Sequence, residues 1–369
     1  MKVGVNTRFL LSNKMEGFGW FTYETMKRIT KNHPEVQFYF FFDRLYDEKF
    51  VFSENITPIV LNPPARHPIL QKIWFNWSVT RALKKHQCDC FISPDGYVSL
   101  RTKVPQLAVM HDLNFEHNPE DVPPNALRFL KRNFPKFARK AKRICTVSNS
   151  SKKDIVNTYH IPVEKIDVTY NGSSPLFKPL LEEEKEHVRN KFTNDHLYVV
   201  FVGAIHKRKN LQRLIHAFQQ LKLDTNLSHH ILIVGEAMWK SQAISIPQEM
   251  KEYVHFTGHL SMEDLTHVMG AATCLAFVSY FEGFGIPIVE AMQSGVPVLA
   301  GNRTSLPEIA GEAALYCNPF SEENIQLKLT ELLQDEELQN RLIQKGFQQA
   351  EKFSWDKTAE GLWEAVLKL

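Results

Sequence analysis

The feature that most limits what this chain can fold into is an alternation. Short apolar, β-rich runs recur between amphipathic stretches, in two series with one break between them. The first series has runs at 3–6, 37–42, 90–93, 106–110, 143–147 and 166–169, and the second at 198–202, 230–234, 254–257, 274–278 and 298–300. Helical patterns fill the gaps, for example at 20–31, 210–221, 262–271 and 287–294. Short apolar runs separated by helices fit parallel strands buried on both faces. The prediction is an α/β protein of two doubly wound, Rossmann-like domains. The break lies at the turn cluster Asn171-Gly172-Ser173-Ser174-Pro175, followed by a charged helical pattern at 180–194. This divides the chain into a domain at 1–175 and a linker plus second domain at 176–354. Open sheets of this kind take ligands at the carboxyl ends of their strands, and two of them facing each other would enclose a cleft.

Composition narrows the class further. With 369 residues, each half is large enough to bury its own core. Forty-four Lys plus Arg against 41 Asp plus Glu leaves a net charge of +3, too mild to indicate a nucleic-acid binder. Five cysteines in apolar contexts read as reduced core thiols, and Cys88-Asp89-Cys90 has no second pair at zinc-ligand spacing. The start, Met1-Lys2-Val3-Gly4-Val5-Asn6, reads as a first strand, and no run approaches the ~18 apolar residues of a membrane span. A cytoplasmic location is the expectation.

Two segments carry the chemistry. In Ser279-Tyr280-Phe281-Glu282-Gly283-Phe284-Gly285-Ile286-Pro287-Ile288-Val289-Glu290, a strand gives way through two glycines to a helix with proline in its first turn. The N–H groups of Phe284, Gly285 and Ile286 then suit anionic oxygens, and Glu290 suits vicinal hydroxyls. In Gly203-Ala204-Ile205-His206-Lys207-Arg208-Lys209-Asn210, three cations precede a helix, with Asn210 as its expected N-cap. Cations there oppose the helix dipole, a conflict that a bound anion removes.

These residues resemble family-four retaining glycosyltransferases of the GT-B fold, mannosyltransferase-like members of group 1. Glu282 and Glu290 fall at that family's Glu-x7-Glu spacing, and 203–210 is similar to its diphosphate loop. Ala291-Met292-Gln293-Ser294-Gly295-Val296-Pro297, Leu306-Pro307-Glu308-Ile309, Val109-Met110-His111-Asp112 and Thr146-Val147-Ser148-Asn149 continue the match along nearly the whole chain. The resemblance implies transfer of a sugar from a nucleoside diphosphate donor to a hydroxyl acceptor, a glycan or lipid-linked saccharide, with retention at the anomeric carbon.

It also implies roles. Arg208 and Lys209 would hold the diphosphate, Phe284, Gly285 and Ile286 would give backbone donors, Glu282 would meet the sugar and Glu290 the ribose. Gly203 would open the diphosphate loop. His111 would face the cleft, Gly17 and Gly19 would form the glycine-rich loop after the first strand, and the helix at 355–369 would cross back onto the first domain. Many relatives carry Arg directly after the glycine corresponding to Gly203, and here Ala204 stands there. No Asp-x-Asp occurs, so the carboxylate pair that usually holds a diphosphate-bound metal is missing, and metal-free transfer without any cofactor is expected. Competing readings are an epimerase or hydrolase on the same fold, or a sugar-nucleotide-binding subunit without activity.

One segment remains outside that reading. Lys131-Arg132-Asn133-Phe134-Pro135-Lys136-Phe137-Ala138-Arg139-Lys140-Ala141-Lys142-Arg143 has seven basic residues and no acid. With Phe134, Phe137, Ala138 and Ala141 on one side, it is a basic amphipathic helix. Ile73-Trp74-Phe75-Asn76-Trp77 lies upstream. Either the helix only covers a core, or 127–143 makes a peripheral contact with the inner face of the plasma membrane.

Overall fold

The computed structural model describes residues 1–12, 15, 17–236 and 244–369. The chain divides into two compact units, Met1–Asn171 with Trp355–Leu369, and Gly172–Ser354. The first contains β1 (Lys2–Asn6), β2 (Gln37–Phe42), β3 (Ile56–Val60), β4 (Cys90–Ser93), β5 (Gln106–Val109), β6 (Arg143–Thr146) and β7 (Ile166–Val168). The second contains β8 (Tyr198–Val202), β9 (His230–Val234), β10 (Val254–Gly258), β11 (Cys274–Phe277), β12 (Val298–Gly301) and β13 (Ala314–Cys317). Their orders are β3-β2-β1-β4-β5-β6-β7 and β10-β9-β8-β11-β12-β13, with every strand pairing parallel.

Each sheet is therefore doubly wound. The chain steps outward from β1 to β3, then crosses to the other side of β1 with β4, and it repeats this between β8 and β11. A ligand crevice forms where the order reverses, at the carboxyl ends of those two strands. The central strands are apolar because helices cover both faces: every residue of β8, β9, β11 and β12 is buried. Helix Leu211–Asp224 shows the matching pattern, burying Leu211, Leu214, Ile215, Phe218 and Leu221 along one face.

Two strands, β3 and β13, were not expected from the sequence. Both are outermost in their sheets and only half buried, and β3 carries Pro58, which a central strand would exclude. The terminal helix Trp355–Leu367 belongs to the first unit. Its Asp356 pairs with Arg28 at 2.7 Å, Trp363 stacks on His33 at 4.2 Å, and Thr358 donates to the carbonyl of Tyr170 at 2.6 Å. All five cysteines are free and buried. Among the described residues no helix is long and apolar enough to cross a membrane.

Candidate active site

The two motif loops leave the two strands that flank the switch point of the second sheet. After β8, Gly203 turns at φ +142°, and a Cβ there would stand 3.3 Å from Cε of Lys209. Glycine thus gives Lys209 its path along the backbone. The segment Lys207–Lys209 forms a single 3₁₀ turn rather than the start of a long helix. Asn210 occupies the cap position of the helix that follows, with φ +64°, but its side chain does not cap. Its amide instead donates to the carbonyls of Val278 at 3.1 Å and Pro319 at 2.6 Å, tying the loop after β8 to those after β11 and β13.

After β11, residues 278–285 lead into helix Ile286–Gln293, with Gly285 at φ +100° as its cap. The sequence reading gives Gly285 a turn and a backbone donor to an anion. Its own core makes the stronger demand: a Cβ would meet Leu306 at 3.0 Å and Phe277 at 3.3 Å. Phe284 is buried at 3% exposure, so its side chain is core while its backbone shapes the turn.

Between these loops lies a three-residue charge cluster. Glu282, 6% exposed, takes Nη1 of Arg208 on one carboxylate oxygen at 2.5 Å and Nζ of Lys209 on the other at 2.7 Å. Arg208 Nη1 also donates to the carbonyl of Phe281 at 3.1 Å, and Lys209 Nζ sits 4.5 Å over the ring of Phe277. The backbone of Glu282 is fixed separately: its N–H donates to Thr304 Oγ1 at 3.0 Å, and Ser305 Oγ donates to its carbonyl at 2.9 Å. Thr304 and Ser305, in the loop after β12, are positioning residues the sequence reading missed. Their only signal was adjacency to Leu306-Pro307-Glu308-Ile309.

Burial alone would raise the Glu282 carboxyl, but the charges of Arg208 and Lys209 outweigh it and hold it at about 2. The cluster therefore carries two cations and one carboxylate at neutral pH, a net positive charge of one. Glu290 behaves in the opposite way. Burial pushes it up to about 8 against the pull of Lys209, so it stands as a neutral acid able to donate as well as accept a hydrogen bond.

That shift sets a pH dependence. Between 4.5 and about 8 the folded protein holds a proton on Glu290 that the unfolded chain has released, so stability falls as pH rises through this window. Glu290→Gln should therefore match the wild type in Tm near pH 4.5 and exceed it increasingly up to about pH 8. Parallel melting curves for the two proteins across the range would show that Glu290 does not titrate there.

The remaining expected site residues form a separate group in the first unit. His111, after β5, lies with Nε2 2.8 Å from the carbonyl of Pro94, so Nε2 carries the proton and Nδ1 is the acceptor. Burial lowers its pKa, which keeps the ring neutral. Phe18 and Phe21 meet the imidazole edge-on at centroid distances of 4.8 and 4.9 Å.

Gly17 and Gly19 are not in a loop: they open helix Gly17–Asn32. Gly19 is small for an internal reason, since a Cβ would lie 2.7 Å from the carbonyl oxygen of Phe9. The sequence reading also missed the buried pair beside this group at the other switch point. Arg8 Nε meets Asp95 Oδ2 at 2.6 Å, and Ser93, itself held by Asn6, donates to the same carboxylate. Through Pro94 this pair anchors the turn that orients His111. Among the described residues no group of three or more His, Cys, Asp or Glu could hold a metal ion.

Two doubly wound parallel sheets, with a cation–carboxylate cluster at the switch point of the second, have the GT-B architecture expected from the sequence. Comparison with known proteins agrees. Residues 182–349 match the family described as glycosyl transferases group 1, and residues 15–175 match glycosyltransferase family 4. O-antigen chain mannosyltransferase RfbU of Salmonella typhimurium is 30% identical over 295 residues, covering 76% of each chain. O-antigen chain mannosyltransferase B of Escherichia coli is 29% identical over 279 residues, covering 74% of this chain and 73% of its own. Among solved structures, sucrose-phosphate synthase from Thermosynechococcus elongatus superposes with a TM-score of 0.79 at 16% identity, covering 100% of this chain and 98% of the other. WaaG, a glycosyltransferase of lipopolysaccharide biosynthesis, gives 0.76 at 18%, covering 99% of both. The chain belongs to the group 1 glycosyltransferases.

Proposed function

We propose that this enzyme transfers a hexosyl group, a mannosyl group by analogy with its relatives, from a nucleoside diphosphate sugar to a hydroxyl of a glycan or lipid-linked saccharide. The observation that carries the reading is the Arg208–Glu282–Lys209 cluster at the β8/β11 switch point. Breaking the bond between the anomeric carbon and the diphosphate oxygen sends the electron pair to the departing phosphate. Arg208 and Lys209 meet that charge, and backbone donors at 284–286 lie at the adjacent helix start. Glu282 faces the sugar with a carboxylate already ionised, and Glu290 engages the ribose. The acceptor oxygen forms the new bond on the face the diphosphate leaves, and its proton passes to the leaving phosphate oxygen, so configuration is retained.

In this reading the two cations take the place of a divalent metal, and no cofactor is needed. Five free buried thiols suit a reducing compartment, and we place the reaction in the cytoplasm as a step of polysaccharide biosynthesis. The test is incubation with a panel of nucleoside diphosphate hexoses and saccharide acceptors in excess chelator, with the product's anomeric proton coupling read by NMR. Acceptor-dependent transfer with the donor's configuration is expected. Strict dependence on added metal, inversion, or equal turnover without acceptor would overturn the corresponding part.

A further inference from the structure

The first unit carries a surface that the reaction does not use. Two long stretches, 55–88 and 122–153, contain no Asp or Glu, although the chain has 41 acids in all. They fold side by side. The first forms helix Pro68–Ile73, a π-helical turn Trp74–Val79 and helix Thr80–Lys85; the second forms helix Pro124–Lys140. Tyr97 stacks between them, 5.8 Å from Phe75 and 6.2 Å from Phe129, and Lys72, Asn76, Phe129 and Asn133 line one small cavity.

The outer faces differ in character. Helix Pro124–Lys140 buries Phe134, Phe137 and Ala138 and leaves Arg128, Arg132, Lys136 and Arg139 exposed, and none of these four enters an ion pair among the described residues. The neighbouring segment buries Trp74, Phe75 and Val79 but turns Ile69, Ile73 and Trp77 outward, 64%, 36% and 39% exposed, at a four-residue spacing. Arg101 lies 4.7 Å over the Trp77 ring and holds it at the surface. Three large apolar side chains in water, beside unpaired cations and with no acid in either stretch, have both a hydrophobic and an electrostatic demand unmet.

We infer that Ile69, Ile73 and Trp77 enter the interfacial layer of an anionic phospholipid membrane while the basic face of helix Pro124–Lys140 lies against its headgroups. A nucleic acid would answer the charge but leave the aliphatic ridge exposed. The inference extends the acceptor side of the proposed function and rests on it only in supposing a lipid-linked acceptor.

Vesicle co-sedimentation of the full chain tests it directly, comparing pure phosphatidylcholine with vesicles containing about one-third phosphatidylglycerol. Binding is expected on the anionic vesicles at about 0.05 M salt, and at least tenfold less at about 0.5 M. Ile69→Asp with Ile73→Asp, and separately Arg132→Glu with Lys136→Glu, should each lower the partition by at least about tenfold. Trp77→Phe should remove most quenching of fluorescence by brominated lipid. Transfer to a water-soluble acceptor should persist in all three variants. No binding, equal binding to neutral vesicles, unaltered binding in both double variants, or binding only to a charge-matched DNA duplex would each overturn the inference. Loss of vesicle binding with intact transfer leaves the enzymatic reading standing. Intact vesicle binding by a chain that transfers no sugar overturns that reading alone.

Discussion

Replacing Lys209 by methionine should lower kcat/KM for sugar transfer by about 10²–10³-fold while shifting Tm by only a few degrees. Methionine matches the stem that runs past Gly203 and over Phe277, so the packing is preserved and the charge alone is removed. Glu282 would keep Arg208 as its partner. What is lost is a fixed cation in a site where charge needs no rearrangement at the moment of bond breaking. That contribution counts most in the transition state, so the loss should appear in kcat rather than in KM alone. A second readout comes from Glu290. Lys209 holds that carboxyl down, so its removal should extend the pH window over which stability declines to values above 8. An unchanged transfer rate in Lys209→Met would remove this residue from the chemistry.

Glu282→Gln should divide binding from turnover. The amide keeps the shape of the carboxyl but leaves Arg208 and Lys209 without a counter-charge, raising the cluster from one net positive charge to two. Nucleoside diphosphate affinity should then rise about 5- to 10-fold, because the anion no longer competes with an internal carboxylate. Transfer should fall about 10²-fold or more, because the group that faces the sugar has lost its charge. Stability changes with a defined sign. The folded-state pKa is depressed to about 2, so the ion cluster's contribution is fully present above pH 4.5 and is lost as pH falls toward 2. Its size is on the order of 3 kcal/mol, and the variant should lack that acid-dependent component. Calorimetric binding of a nucleoside diphosphate together with a melting series from pH 7 to 3 measures both effects. Weaker diphosphate binding in Glu282→Gln would show that the carboxylate recruits the ligand rather than competing with it.

The fold was legible because central parallel strands announce themselves. The run Tyr198-Val199-Val200-Phe201-Val202 is buried throughout, and its short length and β-branched and aromatic residues mark it as a strand. Edge strands carry no such mark: Ile56–Val60 is half exposed and contains Pro58, and Ala314–Cys317 is short and half exposed. Sequence spacing also placed Arg208, Lys209 and Glu282 at strand ends, but spacing along one chain says nothing about distance between loops. Their meeting depends on β8 and β11 ending side by side, and the supports from Thr304, Ser305 and Pro319 depend on β12 and β13 ending beyond them. The pair Arg8–Asp95 escaped notice for the same reason, its members being 87 residues apart. Gly19 misled because a glycine signals only that a Cβ is unwelcome. Whether a ligand or the protein's own backbone objects is decided by packing.

The assignment of helix Trp355–Leu367 to the first unit has a consequence for biosynthesis. Trp355, Leu362 and Trp363 complete a hydrophobic layer that includes Phe21 and Phe38, yet some 180 residues separate them from the rest of that unit. At about 5–20 residues per second, a ribosome needs roughly 10–40 s to make the intervening segment. During that interval the buried face that Phe21 and Phe38 offer to this helix waits uncovered. The nascent chain should therefore present a sticky aromatic surface to chaperones until helix Trp355–Leu367 emerges, and the half begun first is completed only after the half begun second.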